Sequence, residues 1–357
     1  KVGDVGAPTN QGFLVGNGGS SGISNAATLD LSGLGTFYAN LGSGTLRVGD
    51  AANASGGGSS ANGSTLILAA DTTIIAATIT SDNPTSNAIQ RIKLGNGTNV
   101  LNANTITIGG AANRASGTLD FNASTGTVQV RALDGVGRTA MNVQNGNAGT
   151  GANLLGTVDF TGHSANLLLS TLAVGGRSAA TTAAGTGIFS FDSGTLDATT
   201  VNIAARTGTT ATSGSVTGTV NLGGGTSTIG TVTMSTNNVA LTASNSTGDA
   251  ISTLNISGGT VSINALTMGV NTVAAAFASG SNTDATLNIS GGATTVNTTF
   301  TMGAQNSALD AGVTVNSALS ALNISAGSLT LAGSTNLTMG ATTLDAHNAA
   351  TANINIT

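Results

Sequence analysis

Between Thr253 and Ala304 the chain writes one phrase twice. Leu254-Asn255-Ile256-Ser257-Gly258-Gly259 returns as Leu287-Asn288-Ile289-Ser290-Gly291-Gly292, and Leu266-Thr267-Met268-Gly269 returns as Phe300-Thr301-Met302-Gly303. A period in the thirties admits helical repeats, propellers and solenoids, so residue type has to decide among them. Both phrases alternate apolar and polar residues, favour Ile, Val and Thr, and carry glycine pairs that would cost about 1 kcal/mol each inside a helix. The repeated units are strands, and each packs on its neighbours in an array.

Aligned to the Leu254 strand, an apolar-x-apolar triplet recurs from Leu29, Leu66, Ile92, Leu119, Val158, Phe189, Val220, Leu254, Leu287, Leu322 and Ile354, at spacings of 26 to 39 residues. We term it strand a; its first and third residues share one face and its middle residue takes the other. A second strand, c, follows in most coils and usually ends in Gly, as in Leu172-Ala173-Val174, Val232-Thr233-Met234 and Leu337-Thr338-Met339. A weaker strand b lies between them, seen in Thr127-Val128-Gln129-Val130 and Leu329-Thr330-Leu331. Glycine-bearing turns link a to b, and the connection from c to the next a varies most. Strands repeating in one direction once per coil stack as parallel sheets about 4.8 Å apart. The expectation is an all-β fold, a right-handed parallel β-helix (solenoid) of about eleven coils of about 32 residues, with three strands per coil. It forms one domain over 1–357, either part of a longer chain or a subunit stacking head to tail.

Composition narrows the function. Charged residues make up 6% of the chain and the net charge is −5, so the surface does not suit nucleic acid, whose phosphates call for clustered Lys and Arg. With no Cys and two His, neither a disulfide framework nor a thiolate metal site is available, and no metal or cofactor is expected. No apolar run reaches the length of a membrane span. The amino end has neither an initiator Met nor a signal peptide, as expected of a mature product or an excerpt.

The LNISGG and LTMG phrases, the Gly/Thr/Asn/Ala composition, the lack of Cys and the irregular c-to-a loops resemble the autotransporter-associated β-strand repeat group of bacterial autotransporter passengers. That resemblance implies an extracellular location at a bacterial surface and a role as adhesin, surface fibre or passenger stalk. The carboxy-terminal outer-membrane barrel usual in such proteins is missing from this sequence.

Candidate chemistry lies on the outward row of strand a: Asp30, Ile67, Lys93, Asp120, Asp159, Ser190, Asn221, Asn255, Asn288, Asn323 and Asn355. Asp120 and Asp159 on adjacent rungs beside Lys93 could form the acid pair of a polysaccharide-cleaving β-helix. The favoured reading is structural, with Asn221, Asn255, Asn288, Asn323 and Asn355 as a hydrogen-bonded ladder that the Asp residues continue. Thr-x-Thr pairs at Thr105/Thr107, Thr231/Thr233 and Thr299/Thr301 are too interrupted for an ice-binding face. Arg114, Arg138, Arg177 and Arg206 read as solvated charge near the loops, as do Asp249, Asp284, Asp310 and Asp345, and His163 and His347 as surface residues. The ends are complementary: Phe13-Leu14-Val15 looks like a strand c without its a, and Ile354-Asn355-Ile356 like a strand a without its b and c. Phe13, Val15, Ile354 and Ile356 are therefore candidate assembly residues. The expected function is a non-enzymatic extracellular rod that self-associates head to tail into a surface fibre, filament or sheath. The alternatives are an adhesin stalk contacting glycans or cell surfaces, and a polysaccharide-active enzyme.

Overall fold

The computed structural model describes residues 1–357 except 5, 19–23, 50–62, 83–87, 111–115, 147–153, 178–183, 209–213, 240–247, 273–281, 306–316, 334 and 343–348. All regular structure among the described residues is β, and 22 strands join in one sheet that winds as a parallel solenoid. Row a consists of Thr28–Asp30, Thr65–Ile67, Ile89–Leu94, Ser116–Phe121, Leu154–Asp159, Gly185–Phe191, Val216–Leu222, Ala250–Ile256, the opening residues of Thr283–Gln305 and of Ser317–Leu331, and Ala349–Ile356. Each triplet lies on the next in the register read from the sequence: Leu29 on Leu66, Ile92 on Leu119, Val158 on Phe189, Leu254 on Leu287, and Leu322 on Ile354. The described strands make somewhat fewer complete coils than the eleven expected.

Strands b and c are less separate than the sequence implies. In most coils they run as one long strand, such as Ser164–Arg177 or Thr260–Asn271, bent at a corner where one residue drops out of the ladder. Strand c then turns a second corner through a left-handed residue. The registers stack Gly109, Gln144, Gly175, Ala204, Ser235, Gly269, Gly303 and Gly340 in one column, and every member has positive φ. Glycine takes this conformation freely, whereas Gln144, Ala204 and Ser235 hold it against the clash of Cβ with the carbonyl that follows.

The interior has two compartments. The main core collects the inward residues of all three rows, including Leu119, Val158, Phe189, Leu254, Met268 and Met302. Burying each such side chain stabilises the fold by about 1.5–3 kcal/mol. Phe160 meets Phe121 of the neighbouring coil and Phe189 of the adjacent column edge to face, with ring centroids 6.3 Å apart in both pairs. A second, narrower compartment lies between the left-handed corner and the start of strand a, and its apolar part is Ala204, Val216 and Ala250. The two meet at a pinch where strand a nearly touches the corner backbone. A Cβ on Gly187 would sit 2.3 Å from the Gly175 nitrogen, and one on Gly218 would sit 2.3 Å from the Val174 carbonyl oxygen.

Candidate functional site

The outward row of strand a divides into two chemistries. From Ser190 onward it is a side-chain ladder. Asn221 donates Nδ2 to Ser190 Oγ at 3.1 Å, and Asn255, Asn288, Asn323 and Asn355 each donate Nδ2 to the Oδ1 of the Asn one coil earlier, at 2.7–2.8 Å. Each bond contributes on the order of 1 kcal/mol. Identical amides in register make this possible, since each carries a donor for one neighbour and an acceptor for the other.

Before Ser190 the same row carries charge. Leu119 pairs with Val158, so Asp120 and Asp159 stand on consecutive rungs. Their carboxylates are engaged separately: Asp120 Oδ2 accepts from Lys93 Nζ at 2.5 Å, and Asp159 Oδ1 accepts from Thr161 N at 3.0 Å and Oγ1 at 2.7 Å. Asp30 repeats the Asp159 arrangement with Ser32, whose hydroxyl and N–H hold its carboxyl below the usual range.

The end rungs gather the four assembly candidates. Phe13–Val15 pairs with the c segment of Thr36–Val48, Phe13 on Leu46 and Val15 on Val48, so it does sit in row c. Val2 bridges Ala39 in row b. At the opposite end Leu337, Met339, Ile354 and Ile356 are exposed, Ile356 at 75%. Inward positions that are buried in the middle coils thus form an apolar surface on the last rungs. Val15 is buried and Phe13 half-buried against Phe37.

Several residues read as solvated from sequence lie inside. Arg177 is 2% exposed and Arg206 1%, and the register sets one on the other. Burial pushes each guanidinium down to about 10. Arg206 donates to Asn237 Oδ1 at 3.2 Å and to the Gly248 carbonyl, with the Asp249 carboxylate favouring its charged form. These side chains fill the second compartment because strand c continues past its left-handed corner and turns the next alternate residue inward; the triplet pattern, which stops at the corner, gives no sign of it. Asp249 itself accepts from the Asn282 N–H at 2.9 Å. Asp284 remains at the surface, and burial together with Asp249 raises its carboxyl. His163 is also buried, stacked on Phe121 at 3.7 Å between centroids. Arg138 bridges two coils to Asp197 through two 2.9 Å hydrogen bonds. Arg114, His347, Asp310 and Asp345 lie outside the described residues, as do most of the c-to-a loops. No protein-family model matches this sequence, and no curated protein or solved structure matches it either.

Proposed function

We propose that this chain is a non-enzymatic extracellular structural protein, a β-helical rod that stacks end to end into a fibre, filament or sheath at a bacterial surface. One observation carries the reading: parallel backbone ladders and inward apolar rows recur from coil to coil along the described chain, joined from Ser190 onward by one side-chain amide ladder. Ala349–Ile356 presents an outer strand edge, Asn355 caps the amide ladder, and Ile354, Ile356, Leu337 and Met339 offer apolar contacts of the kind buried elsewhere. An exposed apolar edge of this type is a template for another strand. A second copy supplies matching rows, with Thr28–Asp30 to lie on row a and Phe13–Val15 to lie on row c.

Electron microscopy of the purified chain tests this. Filaments repeating at about one rod length, on the order of 50 Å, are expected, and Ile354→Lys with Ile356→Lys should leave separate rods. Wild-type rods that stay single at high protein concentration would overturn self-assembly and favour an adhesin stalk, whose glycan or surface contacts would fall to the c-to-a loops.

A further inference from the structure

At the corner between rows a and b, four successive coils enclose a recess of about 90 Å³. It arises from unequal turns. Leu29, Leu66, Ile92 and Leu119 stack in row a, and Phe37, Thr72, Asn99 and Val128 stack in row b. The second coil passes from Leu66 to Thr72 in fewer residues than the first needs from Leu29 to Phe37, the third from Ile92 to Asn99 or the fourth from Leu119 to Val128. The recess lies over this short turn, between the longer ones.

Leu68, Ala70 and Ala123 line it with aliphatic groups, and Ser32, Asn96 and Asn122 bring a hydroxyl and two carboxamides to its edge. No charged residue is in its lining, and the acids of the same corners are engaged: Asp30 accepts from Ser32, and Asp71 from the Thr98 N–H at 2.7 Å. The frame is held by backbone bonds from Leu68 N to Lys93 O, from Gly97 N to Ala70 O and from Asn122 N to Leu94 O, at 2.8–2.9 Å. Asn99 is spent on that frame, accepting from Gly95 N and donating to Gly95 O, both at 2.9 Å. The side chains of Asn96 and Asn122 are different: both residues are exposed, and among the described residues their carboxamides bond to nothing. Turning the corner does not call for them, since later coils turn it on Gly224-Gly225, Gly258-Gly259 and Gly291-Gly292.

Each carboxamide sets an acceptor beside a donor, which matches two neighbouring hydroxyls on one molecule. Aliphatic surface next to a few polar groups suits the C–H groups between such hydroxyls. An ion would find no opposite charge there to offset its lost hydration.

We propose that this recess binds a neutral sugar, taking the edge of one hexose unit with its hydroxyls against Asn96 and Asn122 and its C–H groups over Leu68 and Ala70. At about 90 Å³ it holds one edge of a single ring and no more. The recess lies on the flank of the rod, so the assignment is independent of end-to-end stacking.

Nuclear magnetic resonance on the isotopically labelled full chain tests it, with methyl α-D-glucopyranoside, methyl α-D-mannopyranoside and methyl β-D-galactopyranoside as separate probes. At least one should give saturable shifts at the Asn96 and Asn122 side-chain amides and at the Ala70 and Ala123 methyl groups, with the Asn288 amide unmoved. Asn96→Ala and Asn122→Ala alter exposed turn side chains, so both should fold, and each should weaken that binding by about 5-fold or more. Ala70→Leu, which fills the recess from its floor, should abolish it; if that variant does not fold, the two Asn variants decide. No saturable shift with any of the three probes overturns the proposal, as does saturation confined to residues elsewhere. Binding of equal strength in wild type and in both folded Asn variants overturns it too.

Discussion

The coils before Ser190 and those after it share one backbone plan but fill two columns differently. On the outside, the earlier coils set Lys93, Asp120 and Asp159 in a row of charges with separate partners, where the later coils run a ladder of side-chain amide hydrogen bonds from Asn221 to Asn355. On the inside the change comes one coil later: the pinch is Gly117, Gly156, Gly187 and Gly218 up to the strand that bears Asn221, and Ser252, Ala285 and Ser320 beyond it. Where the side chain at the pinch is Ser, it serves the corner: Ser252 Oγ accepts from Ser235 at 2.7 Å, and Ser320 Oγ accepts from the Gly303 N–H at 3.0 Å. A stacked fold can thus be joined either by side chains repeated identically or by individually matched pairs. Only the first kind extends itself from coil to coil, because each residue presents what its successor needs.

The sharpest way to break the comparison is to exchange the pinch residues. Gly187→Ser should destabilise by about 3 kcal/mol or more, since its Cβ would collide with backbone that cannot move away, although the same residue is native at Ser252. Chemical denaturation would measure it, and a neutral result would mean that the corner is softer than its geometry implies. Next in size, Asn288→Ala cuts the amide ladder in its middle and strands a donor on Asn323 and an acceptor on Asn255. A loss of about 1–2 kcal/mol is expected, with Asn355→Ala at the open end costing markedly less.

The third test concerns acid. Burial raises the Asp82 carboxyl above its ordinary value even though Arg47 pairs with it. A carboxyl raised in the folded state gives stability that is complete below its unfolded value near 3.8 and falls as pH rises through the folded value. Melting profiles of wild type should therefore show that decline, and Asp82→Asn should flatten it. The smallest effect belongs to the charged row: Asp120→Asn should change stability by no more than about 0.5–1 kcal/mol, since its pair with Lys93 is partly solvated. The difference should shrink further in high salt, whereas the Asn288→Ala loss should not.

Much of the architecture was legible in the repeats. The register of row a, the assignment of Phe13–Val15 to row c, and the amide ladder all follow from an alternating pattern, because in a stacked strand the residues of one face meet their equivalents one period away. The pattern has no such power at a corner. Whether a residue beyond strand c points to solvent or back inside depends on the sign of φ at one position, and Gln144, Ala204 and Ser235 adopt the left-handed conformation without being glycine. So periodicity determined the rows and their faces, while only the tertiary structure decided that Arg177 and Arg206 turn inward, that His163 lies on Phe121, and that Gln144 and Arg177 pack against Gly185. Those contacts join segments across the corner whose separation varies from coil to coil, and no fixed spacing in the chain records them.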